Sequence, residues 1–356
     1  MSLLLNQVIN QITPVNKNAA LDTQRCIDKH TKPSGGFGKL EEIAVRVSAI
    51  TGKTENNLVK KCVVIFASDN GIYEEGVSSV PKYVTIAQTI NIAKKKIAAI
   101  NVLSRQAGSD VVVVDLGVDA KLPSEVVINR KIRFGTRNML LEPAMTRGEV
   151  IEAIETGIRM AGELAEKGYQ IIGTGEKGIG NTSTSAAVIM ALTGLISDEA
   201  VGKGAGLSEE GFKHKKEILS EVLRRRQPNP NDPFDVLSKV GGFDIAGIAG
   251  MFLGCAFYKI PVVIDGLIAV AGALIASKLN PLTVEYMLAS HLSAEPGYIP
   301  AIKELQLNPY LKMDMRLGEG TGCPLMFSLI DFALAIVREM ENLEQGEIEG
   351  GVLVDT

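Results

Sequence analysis

The sequence predicts an α/β fold, with a doubly wound, mostly parallel sheet and a smaller helical domain formed by both ends of the chain. The first indication is a set of short β-branched runs without polar alternation, because such runs are typical of strands buried on both faces. Segments with helical periodicity separate these runs, and strands that alternate with helices are typical of parallel sheets. The chain also contains 36 glycines, which suit tight turns between strands and helices.

The predicted strands are apolar runs that end in, or lead into, Gly or Asp. They lie at Cys62–Ala67, Val111–Asp115, Gln170–Gly173 and Pro261–Asp265, with a further strand at Met287–Ser290. The predicted helices lie at Thr85–Leu103, Arg147–Lys167, Thr182–Leu195, Phe212–Arg225, Phe243–Tyr258 and Gly266–Lys278. The segment Gln227–Asp235 is polar, contains three prolines and is predicted to be a linker loop. Ligands of such sheets bind at the carboxyl ends of the strands, so the loops that follow the strands are the candidate site.

The two ends of the chain are predicted to be helical. Residues 1–60 contain no clear strand, and Ser328–Gln345 has the apolar periodicity of a closing helix. We therefore expect residues 1–60 and 328–356 to form a small helical domain, and residues 61–327 to form the large α/β catalytic domain. The tail from Gly346 to Thr356 is expected to fray.

Composition leads us to expect a cytoplasmic protein without nucleic-acid or membrane partners. The net charge is −4 and no long basic run is present, whereas nucleic-acid surfaces cluster Lys and Arg. The four cysteines form no CxxC pair, and Cys62 and Cys255 sit in apolar runs, as expected of core thiols in a reducing compartment. The N-terminus lacks the features of a signal peptide. Ile260–Leu279 is apolar, but Asp265 interrupts it, so a strand, a turn and a helix explain it better than a membrane span.

The segment Asp314–Gly322 places one carboxylate, Glu319, between glycines, with Arg316 three residues before it. Glycine flanks allow backbone conformations that other residues avoid, and they let a ligand approach closely. Glu is an unusual residue for a simple turn. We interpret Glu319 as a general base and Arg316 as an anion contact. The alternative is a surface loop in which Glu319 is solvated and Arg316 pairs with Asp314.

A second glycine-rich segment, Gly173–Thr182, follows a predicted strand and opens a helix. The N–H groups and the dipole of a helix start form an anion site, so we expect a phosphate there. Gly173, Gly175 and Gly178 also match a GxGxxG pattern, which keeps an NAD-dependent oxidoreductase as a less favoured alternative. A dinucleotide site needs an acidic residue after the next strand, and the nearest acidic residues follow a helix instead. The carboxylate of Glu176 would repel a phosphate and should point toward a cationic part of the ligand.

Three carboxylates, Asp69, Asp115 and Asp265, follow or end predicted strands. Converging carboxylates could hold Mg²⁺, or they could accept N–H bonds from loops and helix starts. We favour the second role for Asp115 and leave the other two open. The chain has three histidines and no spaced Cys/His set, so a zinc site is not expected. His291 lies four residues before Glu295, which suggests a proton relay or, more commonly, a structural hydrogen bond for the imidazole.

Together these motifs resemble those of the nicotinate-nucleotide–dimethylbenzimidazole phosphoribosyltransferase family, from about Lys32 to Ile330. Any one block alone would be weak evidence for the family, but several blocks in the order found in the family are together specific evidence for it. The blocks are Lys32–Glu41, Asp69–Gly71, Glu75–Ser78, Val84–Gln88, Gly175–Thr182, Gly241–Ala246, Val262–Gly266, Ser290–Gly297 and Arg316–Gly322.

The resemblance implies that phosphoribose is transferred from nicotinate mononucleotide to an aromatic acceptor, with inversion to an α-glycosidic bond and release of nicotinate. The acceptor would be 5,6-dimethylbenzimidazole or a related azole or phenol, and the α-ribotide would supply the lower ligand of cobamides such as vitamin B12. The resemblance also implies a homodimer with a Rossmann-like large domain. Only small-molecule substrates would bind, and no metal or cofactor would be needed.

The resemblance also assigns roles to individual residues. Glu319 matches the catalytic base of the family, and Glu176 matches a second carboxylate of the active site. The positions expected to bind phosphate or ribose are Gly178, Ile179, Gly180, Asn181, Lys215, Arg316 and Gly318. Val80, Val84 and Gln88 have a spacing that would align them on one helix face, where they would border the acceptor. The alternative role for these three residues is plain helix packing.

The residue types present suit this reaction. Nicotinate departs from the ribose as a pyridine that is uncharged at nitrogen, so it needs no acid. The transition state should resemble an oxocarbenium ion, as in glycoside hydrolysis. The acceptor must lose a proton, so one positioned base is needed, and general-base action is worth about 10²–10⁴-fold in rate.

The chain departs from the family pattern at Asn70, Leu292 and Tyr298, where His, Arg and His are usual, and at Lys177, where Met is common. The catalytic and phosphate blocks survive these changes, so the departures bear on the identity of the acceptor. They also suggest a further hypothesis. The chain could be a half-active subunit that forms a heterodimer with a second family member and activates phenolic lower ligands.

Overall fold

The computed structural model of the chain describes residues 2–341. Within these residues the sheet has six strands, all of which pair in parallel. They are β1 (Lys61–Ser68), β2 (Ser109–Gly117), β3 (Ile128–Asn129), β4 (Ile171–Lys177), β5 (Val262–Ile264) and β6 (Met287–Ala289). The predicted strands are confirmed; only the two-residue β3, too short to give a sequence signal, was not predicted.

The strand order is β3-β2-β1-β4-β5-β6, so the direction of winding reverses between β1 and β4. This order is that of a doubly wound sheet, and it confirms the predicted fold class. All eight residues of β1 are buried, as expected of a strand covered by helices on both faces. The carboxyl ends of β1 and β4 diverge at this switch point, which is where such sheets bind ligands.

The helices in the described part of the chain cover both faces of the sheet. They are α1 (Leu3–Gln11), α2 (Lys17–Asp28), α3 (Lys39–Thr51), α4 (Tyr83–Ile90), α5 (Ala99–Gln106), α6 (Arg147–Glu166), α7 (Asn181–Thr193), α8 (Ser197–Ala200), α9 (Glu209–Arg226), α10 (Pro233–Val240), α11 (Phe243–Tyr258), α12 (Leu267–Leu279), α13 (Tyr298–Glu304) and α14 (Gly322–Glu339). The predictions for α6, α7, α9, α11 and α12 are confirmed to within a few residues.

The prediction of one continuous helix over Thr85–Leu103 is wrong. Helix α4 ends at Ile90, a π-helical turn follows, and Lys96 adopts a left-handed conformation with φ 56°. The cause is Asn101, whose side chain accepts a hydrogen bond from the Ala98 N–H (3.2 Å) and donates one to the Ile92 carbonyl (3.1 Å). Asn side chains compete with the helix for backbone groups in this way, so α5 starts separately at Ala99.

Two further boundaries differ from the predictions. The predicted linker loop over Gln227–Asp235 ends early, because Asp232 caps α10 and Pro233 occupies its first position. The predicted closing helix, Ser328–Gln345, begins six residues earlier, at Gly322. The helix also ends earlier than predicted, at Glu339, because Met340 is extended. Residues 342–345 of the predicted helix, and the predicted fraying of Gly346–Thr356, lie outside the described residues.

The two ends of the chain meet in space. Helix α14 packs against α2 and α3, and the Arg338 guanidinium donates a hydrogen bond to the Asn56 carbonyl at 2.8 Å. Helix α1 instead lies against α6 and α11, which cover the sheet. The division into a small helical and a large catalytic domain stays a prediction.

Helix α11 is the most deeply buried helix of the core and packs closely against α6. A Cβ atom at Gly157 of α6 would lie 2.0 Å from the Gly247 carbonyl oxygen, and one at Gly250 would lie 1.9 Å from the Ile154 carbonyl oxygen. Glycine at both positions therefore lets the two backbones touch. The apolar sequence of α11 and α12 is explained by this burial, and no helix within residues 2–341 has the length and apolar character needed to cross a membrane.

Candidate active site

A cavity of about 610 Å³ opens at the carboxyl ends of the strands. It brings together ten of the residues proposed from the sequence: Val80, Val84, Gln88, Glu176, Gly178, Ile179, Asn181, Arg316, Gly318 and Glu319. Its volume lies in the range of about 300–1,000 Å³ that is usual for small-molecule sites. The first turn of α12 and the segment after β6 also contribute to the lining. The sequence analysis did not select these residues for the site: Leu267, Ile268, Ala269, Ser293 and Glu295.

Two proposed residues, Gly180 and Lys215, lie behind the lining. Gly180 has φ +90° and turns the chain into α7, and a Cβ there would lie 3.1 Å from the backbone of Asn70. Lys215 is 1% exposed and donates hydrogen bonds to the Thr182 hydroxyl (3.0 Å) and the Gly202 carbonyl (3.1 Å). Burial lowers the pKa of the Lys215 ammonium to about 8. Because Thr182 lines the cavity, Lys215 is separated from it by one side chain.

The Glu319 loop has an unusual backbone. Gly318, Glu319 and Gly320 have successive φ values of 82°, 60° and 79°, so a glutamate occupies a left-handed position between two left-handed glycines. Glu319 is only 6% exposed, and its Oε1 lies 3.2 Å from the Lys177 ammonium. The loop therefore holds one buried carboxylate, paired to a single lysine, at the cavity wall.

Asp265 anchors this loop to the end of β5. Its two carboxylate oxygens accept the N–H groups of Gly320 (2.9 Å) and Gly322 (2.7 Å). Burial, with a smaller contribution from Glu319, raises the pKa of Asp265 to about 6. The role of Asp265, left open by the sequence, is thus to fix the backbone on both sides of Thr321.

Glu176 anchors the same loop from the end of β4. Its Oε1 accepts the Glu319 N–H at 3.1 Å, and its Oε2 accepts a close hydrogen bond from the Asn181 side-chain amide. Burial raises the pKa of Glu176. A Cβ at Gly318 would lie 2.4 Å from Glu176 Oε1, so only glycine fits at that position. The carboxylate points toward the Glu319 loop.

Asp244, at the start of α11, completes this buried network and was not selected from the sequence. The Asn181 amide donates to its Oδ2 at 3.2 Å, and its Oδ1 accepts the Ile245 N–H at 3.0 Å. Burial and then the charge of Glu176 raise the pKa of Asp244 to about 7. One Asn amide therefore bridges two buried carboxyl groups behind the cavity.

Asp69 and Asn70 support the glycine-rich loop before α7 through hydrogen bonds. The Ile179 N–H donates to the Thr85 hydroxyl (3.0 Å), and that hydroxyl donates to Asp69 Oδ1 (2.6 Å). The Asn70 N–H donates to the Ile179 carbonyl (3.2 Å), and the Asn70 side chain is buried against Thr184. Asn70, one of the departures from the family pattern, therefore supports the loop and is not among the residues that line the cavity.

The remaining candidates have structural partners. Asp115 accepts the Val118 N–H (2.9 Å) and pairs with Lys131 (2.8 Å), which confirms its expected role as a loop acceptor. The His291 imidazole contacts the Ser290 hydroxyl at 3.0 Å, the structural alternative to a relay with Glu295. Within the described ranges, His, Cys, Asp and Glu side chains form no group of three or more arranged to hold a metal ion.

The GxGxxG match has a packing explanation. Gly173 and Gly175 lie inside β4, and neither belongs to the turn that a dinucleotide fingerprint requires. A Cβ at Gly173 would lie 2.5 Å from the Cβ of Cys323 in α14, and one at Gly175 would lie 2.4 Å from Ile65 Cδ1. These glycines let α14 and the Glu319 loop lie directly on the strand, and nothing in the site favours the oxidoreductase alternative.

Known proteins match this chain over nearly its whole length. A family described as "Phosphoribosyltransferase" matches residues 12–348. A Clostridium perfringens protein named nicotinate-nucleotide–dimethylbenzimidazole phosphoribosyltransferase is 49% identical over 352 residues, which are 99% of this chain and 97% of that protein. A Clostridium tetani protein of the same name is 46% identical over 353 residues, with the same coverage of 99% and 97%. The crystal structure of CobT from Thermus thermophilus superposes with a TM-score of 0.89 at 36% identity, covering 94% of this chain and all of that one.

Proposed function

This chain belongs to the nicotinate-nucleotide–dimethylbenzimidazole phosphoribosyltransferase family, and from that premise we propose that it transfers phosphoribose from nicotinate mononucleotide to an aromatic base. The products are an α-ribotide, for the lower ligand of a cobamide, and nicotinate. The protein is an enzyme of the phosphoribosyltransferase class. Its acceptor is 5,6-dimethylbenzimidazole or a related azole or phenol.

The observation that carries this proposal is the position of Glu319. Its buried carboxylate lines a cavity that also presents an apolar wall and the start of α7. The apolar wall suits an aromatic base and includes Val80 and Val84 before and within α4. The loop before α7 suits the 5′-phosphate, because the start of a helix attracts anions. Such a cavity has a place for each part of the two substrates.

We assign Glu319 as the general base. In the proposed step a nitrogen lone pair of the acceptor attacks C1′ of the ribose from the face opposite nicotinate, which inverts the configuration. The C1′–N bond to nicotinate breaks, its electron pair neutralises the pyridinium nitrogen, and the acceptor proton passes to the Glu319 carboxylate. A phenol acceptor would attack through oxygen and lose its O–H proton to the same group. The balance requires no other reactant, so we propose that no metal or cofactor takes part.

Other residues hold the reacting groups in place. Glu176 and Asp265 fix the backbone of the Glu319 loop through three N–H bonds, and Lys177 contacts the carboxylate itself. Gly178, Ile179, Gly180 and Asn181 form the proposed phosphate loop, supported by Lys215 through Thr182. Arg316 and Gly318 are the proposed contacts on the other side of the cavity. Accurate placement of two reactants can supply several powers of ten in rate.

An acceptor panel tests the function. The purified chain is incubated with nicotinate mononucleotide and, separately, with benzimidazoles, purines and phenols, and α-ribotides are detected by mass spectrometry. We expect product with at least one azole. If product appears with no acceptor, the proposed function is wrong. If product appears only after a second family member is added, the heterodimer alternative replaces the homodimer.

The state of the working enzyme is part of the proposal. We propose a cytoplasmic homodimer with small-molecule substrates and no nucleic-acid partner. The support is the family likeness, the net charge of −4 without a long basic run, and the cysteine usage. Within residues 2–341 all the cysteines are unpaired thiols, as expected for a reducing compartment.

A further inference from the structure

Glu295 is a buried carboxylate that neither the proposed base nor the phosphate loop uses. It lies in the segment between β6 and α13, lines the cavity and is 7% exposed. Its Oε2 is buried without a hydrogen-bond partner in the described structure, and no Lys or Arg nitrogen of residues 2–341 lies within 4 Å of its carboxylate. Buried polar atoms are nearly always hydrogen-bonded, so an unpartnered one in a ligand cavity needs an explanation.

The basic residues around Glu295 are engaged elsewhere. Lys215 donates to Thr182 and to the Gly202 carbonyl, and the Arg316 guanidinium reaches the Gly204 carbonyl at 3.4 Å. Both cations still act on Glu295 electrostatically, because each lowers its pKa while burial, the larger effect, raises it. The carboxylate therefore has two cations in its surroundings and no ion pair with either.

The backbone is shaped around this carboxylate. A Cβ at Gly202 would lie 1.9 Å from Glu295 Oε2, so a larger residue there would push the carboxylate away. Pro296 Cδ lies 3.0 Å from the same Cβ position, so the proline ring also packs against this face of Gly202. A charged side chain packed this closely holds a fixed position, which is what recognition of a substrate group requires.

We propose that Glu295 accepts hydrogen bonds from the ribose hydroxyls of the phosphoribosyl donor. This inference rests on the proposed function. Lys215 and Thr182 mark the end of the cavity assigned to the phosphate, and Arg316 begins the segment that leads to Glu319, where C1′ reacts. Glu295 packs against Gly202, whose carbonyl accepts the Lys215 hydrogen bond, and it lines the same cavity as Arg316, so it lies beside the sugar that joins phosphate and C1′. A carboxylate only accepts hydrogen bonds, and the 2′,3′-diol of ribose supplies donors.

Glu295 thereby selects ribose over deoxyribose. A donor that lacks the contacted hydroxyl would leave a buried carboxylate unpaired, and sites built to bind a hydroxyl reject analogues that lack it. A hydrogen bond to a charged group corresponds to roughly 10- to 100-fold in binding or rate. Glu295 is on this proposal a specificity residue and takes no part in proton transfer.

The test is a double-mutant-type cycle, in which one protein variant is combined with two substrate analogues. Wild type and Glu295→Gln are compared with nicotinate mononucleotide and with its 2′-deoxy and 3′-deoxy forms, and kcat/KM is measured for each. We expect one deoxy donor to lose roughly 10- to 100-fold with wild type. Glu295→Gln should lose much of that factor with the ribose donor and little more with that deoxy donor, because the neutral amide weakens the same charge-assisted contact that the deoxy donor lacks.

Several outcomes would overturn the inference. Independent losses from the variant and from each deoxy donor would show that Glu295 contacts neither hydroxyl. Full activity of Glu295→Gln with the ribose donor would show that the carboxylate charge contributes nothing to donor recognition. Glu304→Gln, at an exposed residue, is the matched control, and thermal melting of each variant shows whether it folds. Wild type is assayed first, so that a failure to make any α-ribotide is attributed to the proposed function and is not read as a result on Glu295.

Discussion

At the residue scale, the backbone of Glu319 is the most telling detail of the site. Left-handed conformations are uncommon for residues other than glycine and cost roughly 1 kcal/mol or more. The structure compensates with three N–H bonds from the loop to Glu176 and Asp265. Strain of this kind is concentrated at functional sites, which agrees with the role proposed for Glu319.

The first prediction is that Glu319→Gln loses catalysis and keeps its fold. Gln is nearly the same size and leaves the Glu319 N–H and its bond to Glu176 in place. Removal of a general base should lower kcat by about 10²–10⁴-fold. Steady-state kinetics with nicotinate mononucleotide and the best acceptor measure the effect, with Glu304→Gln as the surface control. Near-normal turnover would remove Glu319 from the role of base.

The second prediction concerns Gly318. Gly318 has a left-handed φ of +82°, which strains any residue with a side chain. In Gly318→Ala the new Cβ would also lie 2.4 Å from Glu176 Oε1. Gly168→Ala is a matched control, because Gly168 has φ +80° and nothing within 4 Å of its Cβ position. Both variants should lose about 1–2 kcal/mol of folding stability, because alanine is strained in a left-handed backbone conformation. Only Gly318→Ala should also lose activity; equal activity in both variants would contradict the contact with Glu176.

The third prediction is a pH dependence set by Asp244. Its pKa is raised to about 7 in the folded protein, against about 3.9 in an unfolded chain. Between these values the unfolded chain releases the proton and the folded protein retains it, so folding stability falls as pH rises from about 4 to 7. The contribution is fully present below pH 4 and lost above pH 7.

Asp244→Asn should flatten this dependence, because Asn cannot ionise and has the same shape. Urea unfolding of wild type and variant at several pH values between 4 and 8 measures the slope. Glu176, whose pKa is also raised, should supply a slope of the same sign that remains in the variant. An exposed residue, Asp198, gives the control Asp198→Asn. An unchanged slope in Asp244→Asn would show that Asp244 is ionised in the folded protein across this range.

At the element scale, β4 and α14 are fitted to each other at Gly173 and Cys323. The fourth prediction is that Gly173→Ala destabilises the protein by about 1–3 kcal/mol, the usual cost of overpacking a core. The new Cβ would lie 2.5 Å from the Cys323 Cβ. Cys323→Gly removes that obstacle, so the double variant should be more stable than the sum of the single losses predicts. Additive losses in urea unfolding would place the strain elsewhere.

The elements that the sequence predicted well are those with a strong local pattern. The buried run in β1 and the glycine- and apolar-rich α11 could be placed to within a residue or so. The break between α4 and α5 could not, because it depends on the Asn101 side chain reaching back to Ala98 and Ile92. Local competition of this kind leaves the apolar periodicity unchanged, so periodicity alone cannot locate it.

At the scale of the whole molecule, the site is made of segments far apart in the chain. The two glycine-rich segments around Glu176 and Glu319 were recognisable because each carries its own motif. Asp244 was not selected, and Glu295 was considered only as a relay partner of His291, because the roles given to them here depend on burial beside Asn181 and Gly202. What the sequence lacked was the three-dimensional pairing of groups, and only the fold supplies it.

The fifth prediction concerns assembly. The homodimer proposal expects the purified chain to elute with twice its mass of 38.0 kDa when light scattering is coupled to gel filtration. The dimer peak should carry the transferase activity without any added partner. A monomer that is inactive alone and gains activity with a second family member would establish the heterodimer instead.

The way the Glu319 loop is pinned has a consequence for how new acceptors arise. Its anchors, Glu176 and Asp265, belong to the ends of β4 and β5, whereas Val80, Val84 and Gln88 belong to α4 and the turn before it. The anchors of the proposed base and the residues that face the acceptor thus lie on different segments, and α4 meets the phosphate loop through the Thr85 hydroxyl. Evolution, or an engineer, can change the residues that choose the base while Thr85 and the anchors of the Glu319 loop are kept.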